Sequence, residues 1–324
     1  MNDVYQKSDG LFAEFNGVNG PGGCVLVAEK GAAKPLWMKG FGLENLTTKS
    51  PCAPATSFRL ASLTKQFTAM CIMMLAERGG MKLDDRLTKF FPGLPAWGDS
   101  ITVMHLLTHA SGLFDYEDLI PPGTTEALKD RDVLEILRRE ERTYFPPGTS
   151  FRYSNTGYAF LALIVEVVSR EKFPAFLRDN IFEPLGMDNT VAYEAGISEV
   201  AHRALGYARR GGNFEETDQS ITSAVLGDGG IYSSVADLFR WDQALYGERL
   251  VSESLLKQAF TDWGHGYGFG WFIDQEKVWH YGETCGFTTR IERHLTRGLT
   301  IIILCNRRDA DLAPIARSLA NLPR

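Results

Sequence analysis

The 324-residue chain has little cysteine, no long apolar run and no excess of positive charge. Five cysteines is an odd number, and their spacing fits neither a zinc site nor a disulfide framework. The expectation is reduced, mostly buried thiols. Apolar runs such as Ile301 to Cys305 are too short to cross a bilayer, which excludes a membrane-spanning helix. A net charge of -6 and a pI near 5.6 remove the basic face that nucleic-acid binding needs. The first twenty residues carry no basic segment followed by an apolar stretch. The expected location is therefore cytoplasmic, or periplasmic or secreted if a signal has been removed. No repeat, low-complexity tract, lipidation motif or phosphate-cradling glycine loop is present.

What is present is a large apolar fraction, 44%, with 23% charged residues. That suffices for more than one compact core, so two domains or one domain with a large insertion are expected. An N-terminal helix is expected over residues 4–15. Cys24 to Ala28 reads as a buried strand, with Pro35 to Phe41 as its antiparallel partner. From Ser62 to Arg78 the period becomes helical, and Gly79-Gly80 supplies a stop. Ile72 and Met73 make the second half of this helix apolar all round, so it belongs inside the protein.

Residues 80–220 are rich in turns and amphipathic helices. Thr102 is placed to cap a helix through Thr108, and Asp132 to Arg142 alternates apolar residues with charges. Phe160, Leu163, Ile164, Val167 and Val168 form a further stripe. Strand signals return at Phe269 to Asp274, Lys277 to Tyr281, Phe287 to His294 and Leu299 to Cys305, an antiparallel meander. A last helix is expected over Leu312 to Leu322. The fold class is α/β: an antiparallel sheet flanked by helices, with a second, mostly helical domain. The α/β domain takes residues 1–79 and 221–324, and the helical domain 80–220.

Three short elements carry chemistry. In Ser62-Leu63-Thr64-Lys65, positions i and i+3 lie about 60° apart around a helix and about 4.5 Å along it. Hydroxyl and ammonium then share a face, and Ser62 sits in the first turn, among free N–H groups. Serine needs a base, and a lysine in water, with pKa about 10.4, is not one. Bringing that pKa near neutrality costs about 4 kcal/mol, which burial can supply. The second element, Tyr153-Ser154-Asn155, is placed on a loop between a Pro-Pro-Gly turn and a helix starting near Ala159. A phenol can relay a proton, and an asparagine amide can bind both Lys65 and a substrate carbonyl. The third is His280-Tyr281-Gly282 at a strand end, where glycine admits a close approach and the Glu283 N–H can join that of Ser62 as an oxyanion hole.

Together the three elements resemble the β-lactamase-like serine hydrolase superfamily: class C β-lactamases, D-alanyl-D-alanine peptidases, D-aminopeptidases and related esterases. Phe58 to Phe67, Leu106 to Leu113, Phe145 to Gly148, Tyr267 to Trp271 and Gly286-Phe287 extend the likeness over residues 20–305. The resemblance implies a β-lactamase/transpeptidase-like sandwich with the site in a cleft. It makes Ser62 the acylated nucleophile and Lys65 with Tyr153 the base pair. Asn155 then orients substrate, and His280, Gly282 and Glu283 form the strand-side wall. Class C β-lactamases carry lysine where His280 stands, which points to an esterase or D-peptidase acting on a small ester or a D-amino-acid-containing peptide or amide. The alternatives are a true β-lactamase and a non-catalytic binding or scaffold relative. No cofactor is implied, and the partner is a small molecule or short peptide; oligomeric state is open. His105 and His109, four apart, have a zinc-binding spacing but no evident third ligand. Trp263, Tyr267, Phe269 and Trp271 form an aromatic cluster that suits a pocket wall or a sheet edge. Asp115 to Asp118 reads as a solvated loop, and Gly227 to Gly230 as a tight turn before Ser234 caps a helix.

Overall fold

The two strongest β runs meet across the whole length of the chain. A computed structural model describes residues 5, 7–15 and 19–323. In it β1 (Gly23–Glu29) lies between β2 (Trp37–Phe41) and β6 (Leu299–Cys305), with Leu26 opposite Ile302. The sheet continues through β5 (Phe287–His294), β4 (Val278–Thr284) and β3 (Phe272–Ile273), antiparallel throughout. Both faces of its centre are covered, so every residue of β6 is buried and the strand reads as one apolar run. Leu26, Ile302 and Leu304 face the large helical core, while Val25, Val27, Ile301 and Ile303 face a smaller one. That second core is closed by α5 (Ala313–Ala320) and by a 3-10 helix at Lys7–Phe15. The expected helix over residues 4–15 is thus a 3-10 segment broken at Phe12, and Val4 lies outside the described residues.

The helix expected from Ser62 begins later. Ala61–Thr64 is a 3-10 turn, and α1 proper runs Lys65–Glu77 with Lys65 through Leu75 all buried. Against it packs α3 (Asn155–Ser169), which starts four residues before the expected start near Ala159. The reason is Ser154, whose side chain accepts the Gly157 N–H as an N-cap. The charged segment near 132 becomes α2 (Asp130–Leu137), and Ser234 caps α4 (Val235–Ala244) as its position suggests. The first strand of the C-terminal meander shrinks to Phe272–Ile273, since Gly268 and Gly270 hold the preceding stretch in turns against Ala259 and Lys65. Residues 191–233 add short strands, including a hairpin, Tyr207–Arg210 with Asn213–Glu216. Among the described residues no helix is long and apolar enough to cross a membrane.

Among the described residues one ion pair is fully enclosed. Arg293 on β5 donates from Nε to Asp242 Oδ1 at 2.7 Å, and both side chains have no exposed surface. Thr300 on β6 donates to the same oxygen, and the guanidinium lies 4.3 Å from the Tyr246 ring centroid. Removing the anion alone strands a buried cation. Asp242→Ala is expected to lower stability by about 3–5 kcal/mol, read as a fall in the denaturant midpoint with the slope unchanged. A change under 1 kcal/mol would show that the pair does not tie α4 to the sheet.

Candidate active site

Ser62 enters the site from a strained turn. Ala61, just before it, has φ of 50°, a conformation that costs an L-residue free energy. The turn is held from several sides. Leu60 donates its N–H to Ile231 and accepts at its carbonyl from the Thr289 hydroxyl, and Thr64 Oγ1 accepts from the Ile231 N–H. β4 passes so close that a Cβ on Gly282 would stand 2.3 Å from the Leu60 oxygen and 2.9 Å from the Ala61 Cβ. The bare Gly282 therefore admits the Ser62 turn itself, rather than a substrate as its sequence context suggested.

Lys65 is fully buried, and its ammonium makes three hydrogen bonds. It donates to Ser62 Oγ at 3.0 Å, to Asn155 Oδ1 at 2.9 Å and to the Asp228 carbonyl at 2.9 Å. Burial lowers its pKa to about 8, against the opposing pull of Asp228, Asp115 and Glu117. Tyr153 brings its ring within reach, with Lys65 Nζ 4.9 Å from the centroid. Its hydroxyl is buried and interacts with that of Ser62 without reaching satisfactory hydrogen-bond geometry. Burial pushes the phenol well above its ordinary pKa, while the Ser62 hydroxyl opposes this. Asn155 is not on a loop but is the first residue of α3. Its amide nitrogen donates to Glu117 Oε1 at 3.3 Å, and its main-chain N–H to Asp115 Oδ2 at 3.1 Å.

His280 reaches the site but not its surface. It has no exposed area and bonds through Nε2 to the Tyr267 hydroxyl at 2.9 Å and through Nδ1 to the Tyr281 carbonyl at 2.7 Å. Burial, helped by the Lys65 charge, pushes its pKa down to about 3, so it stays neutral. The strand-side wall is presented instead by Tyr281, Glu283 and Thr284. Thr284 and Phe287 close a two-residue hairpin, so Glu283 falls at a position whose N–H points away from β5, off the sheet edge. That leaves the N–H free to serve the cleft.

Ser62 stands where two lobes of the cleft join. One, of about 270 Å³, is bordered by Tyr153, Tyr281, Thr284 and Arg308. The other, about 60 Å³, is bordered by Arg59, Tyr116, Glu117 and Asp228. The 115–118 segment is therefore part of the site, with Tyr116 buried and its hydroxyl on Asp228 Oδ2 at 3.2 Å. Asp228 lies in a helical turn, Leu226–Gly229, and burial raises its carboxyl to about 7 despite Lys65. Two N–H groups of that turn are gripped by Asp130, 2.9 Å each. No local signal marks Asp228 or Asp130, since their partners lie far away in the chain; the acidic pair at 115 and 117 is visible in the sequence only as charge. His105 and His109 engage separate main-chain groups, His105 Nδ1 accepting from Thr102 N and His109 Nδ1 from Ser154 N. Of the aromatic cluster, Tyr267 contacts the site through His280, while Trp263 stacks on Phe269 away from the residues that line it.

The beta-lactamase family pattern matches residues 9–322. Penicillin-binding protein 4* of Bacillus subtilis is 34% identical over 89% of this chain and 68% of its own length. The putative penicillin-binding protein PbpX of the same organism is 30% identical over 82% of this chain and 66% of its own. This chain spans 59% to 68% of the length of these and other curated relatives. The crystal structure of a penicillin-binding protein from Bacillus halodurans superposes with a TM-score of 0.84 at 26% identity, covering 97% of this chain and 98% of that one. A match across almost the entire chain, on a fold of the same topology, means that the chain belongs to the beta-lactamase family.

Proposed function

We propose that the protein is a serine hydrolase that opens a small ester, or an amide or short peptide containing a D-amino acid, through an acyl group on Ser62. The observation that carries this is the buried Lys65 ammonium, hydrogen-bonded to the Ser62 hydroxyl and depressed to about pKa 8. In its neutral form Lys65 takes the Ser62 proton as the oxygen attacks the carbonyl. The developing oxyanion is held by the Ser62 and Glu283 N–H groups. Tyr153, neutral at working pH, passes a proton to the departing amine or alkoxide. Water then cleaves the acyl-enzyme by the same groups in reverse. The relatives named for binding penicillin support acylation of this kind.

The lobes beside Ser62 support a choice of substrate. Glu117, at the cleft surface, with Asp115 and Asp228 behind it, outnumbers the single cation Arg59 in the smaller lobe and favours a free amine. Arg308, mostly exposed and 3.7 Å from Glu283, suits a carboxylate on the other side. With His280 neutral, β4 offers no permanent cation of the kind a β-lactam carboxylate would find on a lysine. A small amide or peptide with a free amino group fits this polarity.

Three outcomes are expected. A fluorophosphonate or labelled penicillin should add to Ser62, seen by mass spectrometry of the peptide, and Ser62→Ala should neither label nor turn over; equal activity in that variant sinks the assignment. The acylation rate should rise with pH as Lys65 loses its proton, with a midpoint near 8, so that about a tenth of the plateau rate is reached one unit below it. His280, near 3, should add no inflection between about pH 5 and 9. A flat profile across that range would exclude Lys65 as the base. Glu117→Gln should raise KM about fivefold (~1 kcal/mol) for amides with a free amine and leave acetyl esters unchanged. Equal effects on both would remove Glu117 from amine recognition.

A further inference from the structure

We infer that His109 is a positioning residue for Tyr153, fixing the phenol by gripping the main chain on both sides of it and packing against its ring. This rests on the reading of Tyr153 as part of the acylation machinery.

The need for such a device follows from the phenol itself. Among the described residues its hydroxyl meets that of Ser62 without good hydrogen-bond geometry, so the tip is only weakly held. Yet a group that passes protons must be held to a fraction of an ångström. The position must therefore be set from behind. One residue supplies it. The Arg152 N–H donates to the His109 carbonyl at 3.0 Å, and the Ser154 N–H donates to His109 Nδ1 at 3.1 Å. The residues immediately before and after Tyr153 are thus bound to the main chain and the side chain of a single histidine. The ring centroids of His109 and Tyr153 are 4.3 Å apart, closer than those of Phe272, His280 or Tyr267 to the same phenol.

The backbone of His109 shows what this arrangement costs. Its φ is 56°, left-handed, where glycine or asparagine would be the easy choice. That twist presents carbonyl and imidazole to the same stretch of chain. The neighbouring residues continue the seam: Ala110 accepts from the Gly148 N–H and Gly112 from Tyr144. The imidazole must also be neutral, because a protonated ring has two donors and would leave the Ser154 N–H without an acceptor. Burial, with Lys65 and His280 nearby, holds its pKa well below the ordinary value. With Nδ1 accepting, Nε2 carries the hydrogen. Among the described residues that N–H meets no acceptor and sits in a cage of Tyr158, Tyr267 and Phe151 rings. A merely structural histidine gains nothing from a strained backbone and an unpaired donor; the bracket around Tyr153 accounts for both.

The substitutions separate the parts. Asparagine tolerates left-handed φ and places Oδ1 where Nδ1 stands, keeping the Ser154 bond and losing the ring. Glycine keeps the backbone and loses both. For a p-nitrophenyl ester, His109→Gly is expected to lower kcat about 30-fold with KM within twofold, per folded molecule as counted by circular dichroism. His109→Asn should recover about tenfold of that loss. The midpoint of the pH profile should move upward in the glycine variant, as water reaches Lys65. Parental kcat per folded molecule in either variant overturns the proposal, as does a loss in both that only tracks their unfolded fraction. Should the glycine variant not fold, asparagine decides alone: kcat about threefold down at constant KM supports the bracket, and parental kcat ends it. A parent that no acylating probe labels removes the underlying reading and this one with it, whereas a labelled parent with unaffected variants removes this one alone.

Discussion

The enclosed ammonium of Lys65 is the constraint around which the molecule is arranged. An ion with no exposed surface must find a partner for each of its three N–H bonds. Here the partners come from three distant stretches: Ser62 on the preceding turn, Asn155 at the start of α3, and the Asp228 carbonyl. Each has to be delivered with its own support. Ser154 caps α3 so that Asn155 begins it, and Asp130 grips the two N–H groups that open the Asp228 turn. Thr68, one helical turn beyond Lys65, donates to the Gly227 carbonyl and locks that turn against α1. The same burial that demands these bonds lowers the pKa of the amine, so packing and reactivity have one cause.

The sheet supplies the opposing side, and the geometry is paid for in backbone conformation. β4 meets the Ser62 turn at a distance only glycine permits, and left-handed φ occurs at Ala61, beside Ser62, and at His109, packed on Tyr153. Strain of this sort persists only where neighbours over-determine it. The pairing of β1 with β6 is what makes that possible. It brings the C-terminal meander, and β4 within it, beside a helix encoded more than two hundred residues earlier.

Much of this is written locally and could be read. The periods of β5, β6 and α1, the caps at Thr102 and Ser234, and the i, i+3 relation of Ser62 to Lys65 depend on neighbours in the chain. What could not be read depends on what lies across the fold. Asp228 looks like turn chemistry between glycines until burial raises its carboxyl to about 7. The 115–118 acids look like solvated charge until Asn155 reaches them from α3. Gly282 carries the right signal, a close approach, but the sequence cannot say to what. His280 is the sharpest case: its alternation on β4 is legible, yet only the Tyr267 hydroxyl behind it explains why it turns inward.

That inward turn sets the electrostatics of the cleft. A lysine enclosed at position 280 would face Lys65 as a second cation, and like charges push each other's proton off. A histidine held neutral by burial adds no such repulsion. The depression of Lys65 then rests on burial alone, while Asp228, Asp115 and Glu117 pull the other way. The amine consequently settles near 8, higher than a cation pair would leave it. Arg59 is a second buried cation beside Ser62, and because its partners, the Ser223 carbonyl and Gln219, are neutral, its charge offsets part of that of the acids. Histidine rather than lysine at position 280 thus bears on two properties together: the pH at which Lys65 loses its proton, and the net charge that the surrounding groups present to the cleft.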